Sequence, residues 1–135
     1  MKKMYFLIVC TIIAIAFVFI YFSSDIDTVN EKFLLKFGIE INPGPVSFEE
    51  IEIPEIFDSV YTNYNFLQIQ AGFDLSDFKG MHGVRYTYKM LNFPQSDGKT
   101  VYANVICINS NPIGGDICCP SLDGFILPLN YLTAN

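Results

Sequence analysis

The hydrophobic pattern begins with an uninterrupted apolar run near the N-terminus. Residues 4–22 contain no charged side chain. At about 1.5 Å of rise per residue, a helix of this length reaches across the ~30 Å hydrocarbon core of a bilayer. Lys2 and Lys3 precede the run, whereas Asp25 and Asp27 follow it. The pattern therefore predicts contact with the lipid bilayer through residues 4–22, in a single-pass helix with a cytoplasmic N-terminus and the rest of the chain outside.

Two processed forms compete with an uncleaved signal-anchor. A cleaved signal peptide ends in small residues at an A-x-A-like site, but Phe22 stands where a small residue is needed. A lipoprotein box would end at Cys10, yet the apolar run continues well past it. We favour an anchor at residues 1–24 followed by one extracytoplasmic domain at residues 25–135, and leave open whether the anchor is ever cleaved.

Helical periodicity recurs in the outer part. A polar linker is expected at residues 23–27, and apolar spacing predicts a short helix at 29–37 that Gly38 ends. A longer helix is predicted at 54–71, with Pro54 in its first turn. Its apolar residues recur three or four positions apart and are expected to face a sheet: Phe57, Val60, Tyr64, Leu67 and Ala71.

Strand patterns fill the remainder of the chain. The predicted strands are 39–41, 46–53, 84–90, 100–108, 113–119 and an edge strand at 125–129. The apolar positions change parity near Glu49 and Glu50, which predicts a β-bulge there. The predicted fold class is α+β, with a long amphipathic helix packed on an antiparallel sheet and preceded by one N-terminal transmembrane helix.

The last long strands are expected to form a hairpin around residues 109–112. That hairpin sets Cys107 opposite Gly114, and Cys118 then lies about 13 Å further along its strand. A disulfide needs Cα atoms within roughly 7 Å. The sequence therefore predicts no bond from Cys107 to Cys118 or Cys119.

Charge narrows the range of partners. Residues 25–135 carry six basic and fourteen acidic side chains, a net charge of −8. Phosphate binding depends on Lys and Arg, so this surface excludes nucleic acid as a partner. A protein, peptide or glycan partner at the cell surface remains open.

Few residues suggest catalysis. A thiol enzyme would need a Cys–His pair involving Cys118 or Cys119, but His82 is the single histidine and lies beside Gly83 in an expected loop. A zinc site adding Cys107 lacks the paired cysteine spacing. We therefore predict no catalytic residue, no cofactor and no metal.

One set of polar residues suggests ligand binding. Tyr61, Asn65 and Gln68 place a phenol and two amides along the predicted helix 54–71. Such groups are able to hydrogen-bond a peptide or a glycan. We take these three residues as candidate ligand contacts.

The outer domain carries the short motifs AGFDL at 71–75, YTY at 86–88, GGDI at 114–117 and LDGF at 122–125. These motifs resemble the DUF4830 family of Gram-positive bacteria. The likeness extends over roughly residues 28–127. It implies a membrane-anchored protein with no assigned activity. The expected function is a membrane-tethered extracytoplasmic binding module, and the alternative is a small cell-envelope enzyme.

Overall fold

The computed structural model describes residues 1–134, apart from the side chains of residues 19 and 22–24. The described part forms an α+β fold that contains a five-stranded antiparallel sheet. Its helices and strands are α1 (Lys2–Leu35), β1 (Ser47–Glu52), α2 (Ser59–Gln70), β2 (His82–Lys89), β3 (Tyr102–Ile108), β4 (Asn111–Cys119) and β5 (Phe125–Leu127). Two short 3₁₀ helices cover Leu75–Phe78 and Leu129–Leu132. The predicted α+β class is confirmed.

The sheet has the strand order β1-β2-β3-β4-β5. The five predicted strands from residue 46 onwards are confirmed within a few residues, whereas 39–41 contributes only a bridge between Ile41 and Met90. The predicted bulge at Glu49 and Glu50 is wrong, because β1 pairs with β2 without a register shift. β1 is an edge strand whose side chains are almost all exposed, so it has no need of a single apolar face.

Helix α1 runs without interruption from Lys2 to Leu35. The predicted linker at 23–27 is wrong, and the predicted helix 29–37 is the last part of α1. The reason is local, since no glycine or proline precedes Gly38 to break the helix. Gly38, with φ +70°, ends it as expected.

The apolar run at the start of α1 is largely uncovered. Its described side chains are exposed on every side of the helix, for example Phe6 at 70%, Ile12 at 60% and Ile15 at 65%. Within the part of the chain that the structure describes, no helix is both long and apolar enough to cross a membrane. The predicted span 4–22 includes Phe19 and Phe22, whose side chains lie outside that part.

Each face of the sheet packs against a helix. On one face, the last turns of α1 bury Phe33 and Leu34 in a core that includes Val105 and Ile117. On this face Asn30 donates to the Tyr88 hydroxyl at 2.9 Å, which ties α1 to β2. On the other face, α2 and the following loop cover a smaller core: Ile53, Leu75, Ile106, Ile108 and Ile113.

Helix α2 differs from its prediction in extent and in its buried face. It starts at Ser59 because the Asp58 carboxylate caps it, accepting from the Tyr61 N–H at 2.7 Å. Its buried residues are Asn65 and Gln68, whereas Val60 of the predicted apolar stripe is 74% exposed. The buried amides replace an apolar face because they bond to backbone and loop groups beneath α2.

The β3–β4 hairpin is present, but its predicted register is wrong. A two-residue turn at Asn109 and Ser110, both with positive φ, closes it. A register shift then sets Cys107 opposite Pro112 rather than opposite Gly114. Cys118 lies opposite Tyr102, which is five residues along β3 from Cys107, or about 16 Å. Cys107, Cys118 and Cys119 are free thiols.

Candidate functional site

Helix α2 leaves part of its sheet face open, and a groove of about 840 Å³ lies there. One wall is α2, which contributes Val60, Asn63 and Tyr64. The floor is formed by side chains of β2, β3 and β4, and the two ends are bordered by residues of β1 and β5. We call this space the groove.

Strand alternation selects the side chains of the floor. Thr87 lies opposite Asn104, and Asn104 lies opposite Asp116. Residues paired in this way point to the same face of a sheet. Their neighbour Tyr88 points to the opposite face, into the core under α1. The pairing therefore places three polar side chains in one row across the groove.

These polar side chains form a hydrogen-bonded chain that reaches α2. Thr87 Oγ1 donates to Asn104 Oδ1 at 2.7 Å, and Asn104 Nδ2 donates to Asp116 Oδ1 at 2.8 Å. The Tyr64 hydroxyl donates to Asp116 Oδ2 at 2.6 Å. We call Thr87, Asn104, Asp116 and Tyr64 the Asp116 network. It holds the carboxyl group of Asp116 in one orientation from both sides.

Asp116 borders the groove although only 3% of it is exposed. Burial raises the pKa of its carboxyl group, and the hydrogen bonds from Tyr64 and Asn104 partly offset this effect. Burial, together with the nearby Asp116, also raises the pKa of Tyr64. Tyr64 therefore stays protonated and able to donate to the carboxylate.

A cation lies near Asp116 but is paired elsewhere. Arg85 Nη2 contacts Glu49 Oε2 at 2.6 Å across β1 and β2. Among the described residues this is the single ion pair. In that part of the chain, Asp116 therefore has no cation within ion-pairing distance. Buried carboxylates are normally paired with a cation or kept neutral. Asp116 is therefore an unusual group to find beside an open groove.

The three candidate ligand contacts divide into two groups. Tyr61 borders the groove and packs against Phe57 and Tyr64, with ring centroids 4.7 and 5.9 Å apart. Asn65 instead accepts from the Leu75 N–H at 2.8 Å, and its Nδ2 donates to the Asp74 carboxylate. Gln68 is fully buried and accepts from the Gly115 N–H at 2.9 Å. The structure brings only Tyr61 to the groove and places the two amides in the interior.

The Asp116 network was missed at the level of sequence. Asn104 and Asp116 are polar residues inside otherwise apolar strands. This pattern is typical of buried polar groups. Their connection to Tyr64 depends on the placement of α2 over the sheet. The periodicity places Tyr64 on the apolar stripe, whereas in the structure its hydroxyl donates to Asp116.

Cys118 and His82 lie far apart in the sheet. His82 is the first residue of β2. Cys118 pairs with Tyr102, and Tyr102 pairs with Lys89, which is the last residue of β2. Seven residues of strand separate the two levels, or about 23 Å. Burial raises the pKa of the Cys118 thiol and raises that of Cys107 to about 12. Neither thiol is therefore activated as a thiolate nucleophile.

Among the described residues, no group of three histidine, cysteine, aspartate or glutamate side chains is placed to hold a metal ion. No family model, curated protein or solved structure matches the chain. The resemblance to the DUF4830 family thus stays a prediction, and the geometry of the groove is the basis for any statement about function.

Proposed function

We propose that this protein is a membrane-tethered extracytoplasmic binding module, and that the groove is its ligand site. The observation that carries the proposal is the Asp116 network, a fixed and buried carboxyl group bordering an open cavity. Ligand sites are typically concave and mostly apolar, with a few fixed polar groups that orient the ligand. The groove has this composition, since Val60, Leu67 and Ile106 border it together with Asp116.

The tether is supported by the N-terminal half of α1. Residues 4–22 are free of charge, and their described side chains are exposed rather than packed in a core. A helix that is apolar on all sides needs an apolar environment. Lys2 and Lys3 orient this helix with its N-terminus in the cytoplasm. Because α1 continues unbroken to Leu35, it also fixes the domain close to the membrane surface.

The size of the groove favours a small ligand. About 840 Å³ falls within the usual range for small-molecule sites, which is about 300–1,000 Å³. Tyr61 would contact the ligand directly, while Asn65 and Gln68 would support the wall from behind. The resemblance noted above also leads us to propose membership of the DUF4830 family.

A bulky side chain in the groove should abolish binding. We expect the substitution Asn63→Trp to fill the groove, because Asn63 is exposed and borders it. The readout is saturation-transfer NMR with the full-length protein in a non-ionic detergent, screened against a fixed library of small amines, carboxylic acids, sugars and alcohols. Ligands that bind the wild-type protein should lose their signal with this variant.

The matched control is Thr62→Trp. Thr62 is the neighbouring exposed residue of α2 and does not border the groove. This variant should keep every ligand of the wild type. Equal binding by both tryptophan variants, or a wild-type protein with no ligand in the library, would contradict the groove as the ligand site.

A further inference from the structure

We infer that the groove takes a small organic cation, an ammonium or guanidinium group on an apolar stem, with the positive charge held by Asp116. This inference rests on the proposed function and adds the chemical class of the ligand. It depends on three features of the groove: the hydrogen bonds that Asp116 lacks, the sign of the surrounding charge, and the apolar and aromatic walls.

The Asp116 carboxylate has acceptor capacity to spare. Its two oxygens offer about four acceptor sites, and among the described side chains Asn104 and Tyr64 supply one donor to each oxygen. Both donors are neutral, and Arg85, the nearby cation, favours the carboxylate only from beyond ion-pairing distance. A ligand ammonium would supply the missing charge as well as further donors.

The surrounding charge is negative. Glu52 is a second carboxylate that borders the groove. The single positive residue that borders it, Arg85, is paired with Glu49 at 2.6 Å. The charge of Arg85 also acts on Asp116, but Glu49 offsets it, so Asp116 and Glu52 leave the groove with a net negative charge. An anionic ligand would be repelled by both, whereas a cation would be attracted by both.

The walls suit the remainder of such a ligand. Val60 and Leu67 of α2 and Ile106 of β3 present apolar surface to a hydrocarbon stem. Tyr61 and Tyr64 border the groove, and the Tyr64 hydroxyl contacts Asp116. Aromatic rings near a carboxylate favour cations, since the ring face is negative.

Binding of a cation to Asp116 should depend on pH. The other charged and titratable groups that border the groove are Tyr61 and Tyr64 of α2, Glu52 of β1, Arg85 of β2, Tyr102 of β3 and Cys118 of β4. Glu49 of β1 pairs with Arg85. Burial raises the pKa of Asp116, and the cation binds the deprotonated form. Affinity should therefore fall as the pH is lowered through that pKa, because protons compete with the ligand.

Three probes of the same size separate charge from shape. Butylammonium, 1-butanol and butyrate are titrated separately into the full-length ¹⁵N-labelled protein in non-ionic detergent, with amide shifts of the groove strands as the readout. We expect butylammonium to shift these amides, and the other two probes to bind at least about tenfold more weakly. The affinity for butylammonium should also decrease with added salt.

Two substitutions locate the cation. Asp116→Asn should weaken butylammonium binding about tenfold or more, whereas Asp123→Asn, at an exposed site outside the groove, should leave it unchanged. If Asp116→Asn does not fold, Glu52→Gln offers a second test at an exposed position. It should weaken binding about two- to threefold, which is the size expected for one partly screened charge.

A fourth probe identifies the source of the cation. Nα-acetyl-lysine amide presents the same ammonium on a peptide-like stem. Binding equal to that of butylammonium would extend the site to a lysine side chain of a short peptide, and weaker binding would restrict it to free amines. Either result supports the cation.

The inference would be overturned if 1-butanol or butyrate shifted the groove amides as strongly as butylammonium. It would also be overturned if Asp116→Asn, or Glu52→Gln where the first variant does not fold, bound butylammonium with wild-type affinity. In both cases the groove would still be a ligand site and the proposed function would stand. A protein whose groove amides respond to none of the probes would overturn the inference, and the library screen then decides the proposed function separately.

Discussion

Replacing Leu34 by alanine should lower the free energy of unfolding by about 2–5 kcal/mol. Leu34 is fully buried, in the core between the last turns of α1 and the sheet. Removing its branched side chain leaves a cavity that the surrounding strands only partly fill. Urea unfolding of the full-length protein in non-ionic detergent, followed by near-ultraviolet circular dichroism of its tyrosines, measures the change.

The control is its neighbour on the same helix. Leu35 is 51% exposed, so Leu35→Ala should change the free energy of unfolding by no more than about 0.5 kcal/mol. Equal effects of the two substitutions would show that the end of α1 does not pack on the sheet as the structure places it.

Replacing Gly115 by alanine should lower the free energy of unfolding by about 1–3 kcal/mol or more. A Cβ at this position would overlap the backbone carbonyl oxygen of Asn104 and lie 3.1 Å from Leu129 Cδ1. A carbonyl in the β3–β4 ladder cannot move without breaking strand pairing. Because Asn104 holds Asp116, the same substitution should also weaken butylammonium binding.

Gly98→Ala separates overlap from backbone strain. Gly98 has φ +76° and nothing within 4 Å of an added Cβ. Alanine there should therefore lower the free energy of unfolding by only about 1–2 kcal/mol, because a residue with a Cβ is unfavourable in the left-handed conformation. It should leave ligand binding unchanged. If Gly115→Ala destabilised no more than Gly98→Ala and kept full binding, β3 and β4 would not approach each other as closely as described.

Much of the sheet follows from local sequence. Alternation in β2 and the apolar run of β3 place these strands within a few residues, and Pro128 is tolerated just beyond the short edge strand β5. Register was less predictable. The difference between Cys107 facing Gly114 and Cys107 facing Pro112 depends on a two-residue turn and a register shift. Periodicity alone carries no information about either.

The candidate site was harder to predict because its contacts join distant parts of the chain. Tyr64 and Asp116 are 52 positions apart, and no local pattern indicates that they meet. The apolar stripe predicted for α2 also gave no indication that its buried residues are the polar Asn65 and Gln68. Gln68 is buried because α2 lies over Gly115, whose N–H needs an acceptor.

The central proposal is that a membrane helix holds the groove outside the cell. Measuring the membrane topology of the chain tests this proposal most directly. A tag is fused after the C-terminus of the full-length protein, and protease is added to intact protoplasts. The predicted result is loss of the tag, with an N-terminus that still begins before residue 4. Protection of the tag would contradict the orientation, and a mature N-terminus near Ser24 or Asp25 would contradict the anchor.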